Sequence, residues 1–204
     1  MRFVLASQNQ EKIHEMRTIL SGMNIEIYTQ LDLGIHVDVE ETGTTFEQNS
    51  YLKAAALMNK TGLPSIADDS GLCVEALQGA PGVYSARYGG TENDDAQRCA
   101  LILNAVRGER NRRAKFVSVI TCCFPTGVAL AARGECHGLL AFGPQGTDGF
   151  GYDPIFLIPE KKRTFAQLTH EEKNAISHRG EALRCFRQGL TNYFSSQGEP
   201  NGFN

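Results

Sequence analysis

Arg2-Phe3-Val4-Leu5-Ala6, then Ser7-Gln8-Asn9-Gln10-Glu11-Lys12, then Ile13, Met16, Ile19 and Leu20 at helical spacing: this opening decides the fold class of the chain. A β-forming apolar run, a polar turn and an amphipathic helix follow one another directly, and Ile25 to Thr29 resumes as a strand once Gly22 stops the helix. The chain therefore opens β-α-β. Thr45, with Gln48 three residues on, caps a second helix that runs through Lys53-Ala54-Ala55-Ala56 and stops before Gly62. Ser65-Ile66-Ala67 reads as a short strand that delivers Asp68-Asp69-Ser70-Gly71 at its end, and Leu72 to Leu77 as another strand.

Gly79 to Gly90 has neither helical nor strand period and reads as a loop. Asn93 to Val106 is an amphipathic helix, and Lys115 to Phe124 and Val128 to Cys136 form a hairpin around Pro125-Thr126-Gly127. A short strand, His137 to Phe142, precedes a second glycine-rich stretch, Gly143 to Pro154. Thr169 and Glu172 form a capping box, and Glu181 to Phe194 is a closing amphipathic helix. The expected architecture is α/β, a mixed sheet with flanking helices and two lobes around a central cleft. Residues 1–196 are expected to form one domain and 197–204 a disordered tail.

Composition excludes several classes of function. The chain has 204 residues, 41% of them hydrophobic, and a formal net charge of −3, so it lacks the basic surplus of a nucleic-acid-binding domain. No apolar run approaches the roughly 20 residues that span a bilayer, and the N-terminus turns polar too early for a signal peptide, so a cytoplasmic location is expected. The six cysteines contain no C-x-x-C pair and read as reduced core residues; Cys122 and Cys123, neighbours on a strand, point to opposite faces.

Four groups carry candidate chemistry. Ser7, Gln8, Asn9 and Lys12 lie where a strand gives way to a helix N-terminus, a place that holds phosphate through N–H groups and the helix dipole, or is simply capped by Ser and Asn. Glu40 and Glu41 in one loop and Asp68 and Asp69 in another are oxygen donors of the kind Mg²⁺ takes; the alternative is that Asp68 to Gly71 is a plain turn. Lys53, Lys173, His178 and Arg179 are scattered basic groups that the sequence alone does not join. Phe150, Gly151, Tyr152 and Asp153 follow Gly149 in a segment that permits close backbone approach and offers two aromatics for stacking on a base, or a packed turn with core aromatics.

In this order, ASQNQEKIHE, EETGTTFEQNSYLKA, IADDSGLCVEALQGAPGVYSARYGG, GFGYDPIF and EEKNAISHRGEAL resemble the non-canonical purine nucleoside triphosphate pyrophosphatases, the inosine triphosphatase-like family, from Phe3 to about Phe194. The resemblance implies hydrolysis of ITP, dITP and XTP to the monophosphate and pyrophosphate, with Mg²⁺, by a homodimer. It implies that Ser7 to Lys12 and Lys53 hold the triphosphate, and that Asp69 is the acid-base residue and shares the metal with Glu40 or Glu41. Ser70 would touch substrate, Phe150 to Asp153 would form the nucleoside pocket, and Lys173, His178 and Arg179 would read the purine. Two positions depart from the family pattern: Glu11, where Gly is common, bears on the phosphate grip, and Ser50 stands where Ala is common. Rival readings are a Maf-like pyrophosphatase for modified pyrimidine or methylated nucleotides, which Ser177-His178-Arg179 argues against, and a regulatory module that binds a triphosphate without cleaving it.

Overall fold

The structure is a computed structural model that describes residues 1–197. The expected tail, 197–204, lies outside the described residues but for Gln197. The strands are β1 (Arg2–Leu5), β2 (Glu26–Thr29), β3 (Ser65–Val74), β4 (Arg113–Cys123), β5 (Ala129–Leu140), β6 (Phe156–Ile158) and β7 (Arg163–Thr164). The helices are α1 (Gln10–Leu20), α2 (Phe46–Thr61), α3 (Asp95–Ala105), α4 (His170–Ile176) and α5 (His178–Ser196). The strands form one mixed seven-stranded sheet in the order β2-β1-β3-β4-β5-β6-β7. β1 runs parallel to β2 and to β3, whereas β6 is antiparallel to both β5 and β7. Among the described residues no helix is long and apolar enough to cross a membrane.

Helix ends fall where cap chemistry puts them. The Thr45 side chain accepts from Gln48 N at the start of α2, and Gly62, in the left-handed region, ends it. Asp94 with Gln97 and Thr169 with Glu172 close full capping boxes on α3 and α4.

The largest departure from the sequence reading is β3. The acids do not end a strand: Ser65 to Val74 is continuous, and Asp68 and Asp69 sit inside it. Ser70 and Gly71 are poor strand formers, but here tertiary packing overrides propensity. A Cβ on Gly71 would collide with Ser85 Oγ and Gly82 O, so the 3₁₀ turn Gly82–Arg87 packs where only hydrogen fits. The separate strand expected at His137 is likewise the end of β5. Gly138 lies against Leu157 O and the Phe156 ring, which lets β6 approach.

The chain divides into two compact units. Unit 1 comprises Met1–Asp69, Ser118–Gly134 and the chain from Arg179 on; unit 2 comprises Ser70–Val117 and Glu135–His178. Phe3, Met16, Ile66, Ile120, Phe186 and Leu190 belong to the core of unit 1, and Leu72, Ile102, Phe116, Tyr152, Phe156 and Phe165 to that of unit 2. Each such side chain contributes about 1.5–3 kcal/mol by leaving water. None of the six cysteines is in a disulfide; Cys122 packs with Phe3 and Phe124, Cys123 with Ala54 and Ala67, on opposite faces of β4 as alternation requires.

Candidate active site

In unit 1 the strand alternation of β3 gives its two acids different surroundings. Asp68 is fully enclosed. Its Oδ2 lies 2.6 Å from Lys12 Nζ and 3.3 Å from Arg179 Nη2, and its Oδ1 accepts from Ser118 Oγ at 2.5 Å. Arg179 Nη1 in turn meets Glu15 Oε2 at 2.5 Å, with both side chains almost wholly buried. Burial opposes the charge of Asp68, but Arg179 and Lys12 outweigh it and hold the carboxyl well below the usual range. Burial, with Arg179 and Lys53 nearby, lowers the Lys12 pKa, against the pull of Asp68.

Asp69 meets a different partner. Its Oδ1 accepts from Lys53 Nζ at 2.7 Å, and the same Nζ donates to Glu41 Oε1 at 2.8 Å. Asp69 Oδ2 is buried with no hydrogen-bond partner. Such an orphaned acceptor is costly unless something else binds it. Burial raises the Asp69 pKa, with Glu41 adding and Lys53 opposing; burial works against the Lys53 charge, but the two carboxylates prevail and its pKa is raised.

The helix α2 positions this trio from its first turns. Asn49 Oδ1 accepts from Gly43 N at 2.8 Å and Gln48 Oε1 from Thr44 N at 2.7 Å, tying the acidic loop to the helix that carries Lys53. Glu41 is thereby turned toward Lys53, whereas Glu40 is exposed. Glu40, Glu41 and Asp69 are therefore not gathered into one cluster, and among the described residues no group of three His, Cys, Asp or Glu is placed to hold a metal. The pair Glu41 and Asp69 still fits a hard divalent cation. It offers oxygen donors, one of them an orphan, and Mg²⁺ commonly takes only one or two carboxylates alongside phosphates and water.

The loop before α1 does two things at once. Asn9 Oδ1 caps the helix by accepting from Lys12 N at 3.1 Å, and Ser7 Oγ accepts from Asn9 N at 3.3 Å. The remaining first-turn N–H groups have no intrahelical acceptor by helix geometry. Gln8 and Asn9 are exposed, and Glu11 is turned to solvent. Ser50, on α2, shares a buried 2.7 Å hydrogen bond with Thr121 on β4.

In unit 2 the second glycine-rich segment is built around Asp153. Its Oδ2 accepts from Phe150 N at 3.0 Å and from Lys173 Nζ at 2.7 Å, and that ammonium lies 4.7 Å from the centre of the Phe150 ring. Gly149, with φ +74°, is needed because a Cβ there would strike the Asp153 carboxylate. Gly151 N donates to Asp95 Oδ2 at 2.6 Å. Tyr152 is a core residue whose hydroxyl donates to Ser85 O at 2.8 Å, whereas Phe150 is half-buried. The His178 ring stacks on Phe116, 4.7 Å between centres and 11° from parallel. Ser70 opens unit 2 within β3.

The structure thus joins Lys53 with Glu41 and Asp69, and Lys173 with Phe150 and Asp153. It places Arg179 in the ionic cluster of Lys12, Asp68 and Glu15. The sequence reading did not single out Glu15, Ser118 or Asn49. Each left a trace: Glu15 is an acid among the apolar positions of α1, Ser118 a hydroxyl between Val117 and Val119 in the apolar run of β4, and Asn49 a first-turn residue beside a cap.

The model of the Ham1 family matches residues 3–189. A dITP/XTP pyrophosphatase of Haemophilus influenzae is 47% identical over 193 residues, covering 93% of this chain and 98% of its own. One of Exiguobacterium sp. is 44% identical over 184 residues, covering 90% and 94%. The solved structure of the Staphylococcus aureus Ham1 protein matches with a TM-score of 0.87 at 40% identity, covering 95% of this chain and all 100% of its own. A Ham1 protein of Coxiella burnetii matches at 0.88 and 43%, covering 94% and 99%.

Proposed function

Since the chain belongs to the Ham1 family, we propose that it hydrolyses the non-canonical purine nucleoside triphosphates dITP, ITP and XTP to the monophosphate and pyrophosphate. The observation that carries the chemistry is Asp69: a buried carboxylate with one oxygen on Lys53 and the other without a hydrogen-bond partner. In the proposed reaction a water attacks phosphorus, its proton passes to Asp69, and the bond to the departing pyrophosphate breaks. Lys12 and Lys53 stabilise the negative charge that develops on the phosphates. Glu41 and Asp69 would hold Mg²⁺, which would neutralise polyphosphate charge and promote ionisation of water.

The remaining assignments follow the same reading. Ser7, Gln8 and Asn9 contact phosphate with the N-terminus of α1, and Ser70 contacts substrate beside Asp69. Phe150 offers its face to the base while Gly151, Tyr152 and Asp153 shape its surroundings. Lys173 and His178 favour a 6-keto oxygen over the 6-amino group of adenine, because a donor left facing an amino group loses its acceptor. Arg179, expected to read the purine, has its guanidinium buried on Glu15 and Asp68, so its part in this reading is to hold Asp68. Six cysteines outside any disulfide suit a reducing cytoplasm. The homodimer is carried over from the family resemblance.

The test is ³¹P NMR of dITP with the protein and Mg²⁺. The expected products are dIMP and pyrophosphate; dIDP and orthophosphate would overturn the reading.

A further inference from the structure

We propose that Lys53 is an internal counter-ion that occupies the divalent-cation site of the free protein, so that the metal ion enters fully only when the triphosphate draws the ammonium away. The proposal rests on the reading of Glu41 and Asp69 as the metal-holding pair. One ammonium is shared between the two carboxylates, at 2.7 Å from Asp69 Oδ1 and 2.8 Å from Glu41 Oε1. These are the lengths of full charge-assisted hydrogen bonds. The Lys53 side chain is 15% exposed, that of Asp69 8% and that of Glu41 25%, so water screens the Lys53–Asp69 contact weakly and the Glu41 contact somewhat more.

Charge balance makes the ammonium and the metal competitors. Two carboxylates and one ammonium leave a single surplus negative charge. A divalent cation added to that trio would reverse the sign, whereas a cation that replaces the ammonium brings it to neutrality. Like-charge repulsion at such short separation therefore expels Lys53 as the metal seats. Asp69 Oδ2 is buried and without a hydrogen-bond partner, so one carboxylate oxygen stays unmatched while Lys53 is in place and a cation still gains from reaching it: metal binding to the free protein is weakened and not abolished.

Lys53 also has somewhere to go. It lines a cavity of about 180 Å³ together with Glu41, Gln30, Asp38 and Gln8. Gln8 belongs to the loop before α1, so the flexible four-carbon stem can swing its charge from the carboxylates toward that loop without leaving unit 1. A triphosphate bound there gains the ammonium that the metal displaces. Metal and substrate therefore bind with positive coupling, and the free protein resists idle metal loading.

The test is binding of Mn²⁺ alone, followed by electron paramagnetic resonance of the free ion, to the intact protein, to Lys53→Met and to Asp69→Asn, without nucleotide. Lys53→Met keeps most of the stem and removes the charge, and should bind Mn²⁺ about tenfold more tightly, within the span usual for coupled sites. Lys53→Gln provides a second neutral variant and should tighten in the same direction, and Lys53→Arg should restore weak binding. A residue that only supports the fold would loosen metal binding or leave it unchanged. Equal or weaker binding by Lys53→Met and Lys53→Gln, with Asp69→Asn abolishing it, would overturn the counter-ion role and spare the metal site. Absence of Mn²⁺ binding in every variant would overturn the metal-site reading itself.

Discussion

Replacing Arg179 by Met should destabilise the protein far more than loss of a surface charge. Arg179 and Glu15 side chains are 2% and 3% exposed and Asp68 is fully enclosed, so this is the buried regime, where removing one partner costs about 3–5 kcal/mol. An exposed pair would cost at most about 1 kcal/mol. Lys12 still offsets part of the Asp68 charge, but Glu15 loses the guanidinium 2.5 Å away. For a chain of this size about 2–4 °C per kcal/mol applies, which gives a fall in Tm of roughly 6–20 °C. Urea unfolding of Arg179→Met, Glu15→Gln and the double variant measures it, and a coupling of about 1–3 kcal/mol is expected, because the double variant leaves no unmatched charge at that contact. The acid limb moves with it. The folded pKa of Asp68 lies below its unfolded value of about 3.9, so its contribution is complete above that value and is lost as pH falls through the folded pKa. Arg179→Met raises the folded pKa and should shift acid unfolding to higher pH. A cost below about 1 kcal/mol, with no coupling, would refute the buried network.

Asp69→Asn should lower kcat by about 10²–10⁴-fold with Tm little changed, measured by pyrophosphate release and calorimetry; near-normal turnover would remove Asp69 as the base. Gly149→Ala forces a Cβ onto the Asp153 carboxylate at a left-handed φ, and should cost about 1–3 kcal/mol while raising KM more than it lowers kcat. Ser50→Ala leaves the buried Thr121 hydroxyl without its 2.7 Å partner and should cost about 1–3 kcal/mol in urea unfolding with kcat unchanged.

How far the sequence could be read depended on the range of the interactions. Helices announced their own ends, because Thr45, Gly62, Thr169 and Glu172 act within one turn of where they stand. β3 reads short in the sequence because Ser70 and Gly71 are poor strand formers, and the close packing of Gly71 on Ser85 and Gly82 is something no local pattern reveals. β6 and β7 are too short to show a period. In the site, Lys53 and Asp69 stand on different elements, so their types were legible but their meeting was not. The two acids Asp68 and Asp69 looked alike until alternation along β3 gave one to Lys12 and Arg179 and the other to Lys53. Arg179 adjoins His178 in sequence, yet the chain passes from unit 2 to unit 1 between them, and only the fold gives Arg179 its carboxylate partners.

The most direct test of the account is pyrophosphate and phosphate release from ITP, XTP, GTP, ATP and dUTP, each with Mg²⁺ and with a chelator. Pyrophosphate from ITP and XTP, weak release from the other three and none under chelation is the predicted result. Release of orthophosphate, equal turnover of ATP, or tight binding of ITP with no turnover would contradict it.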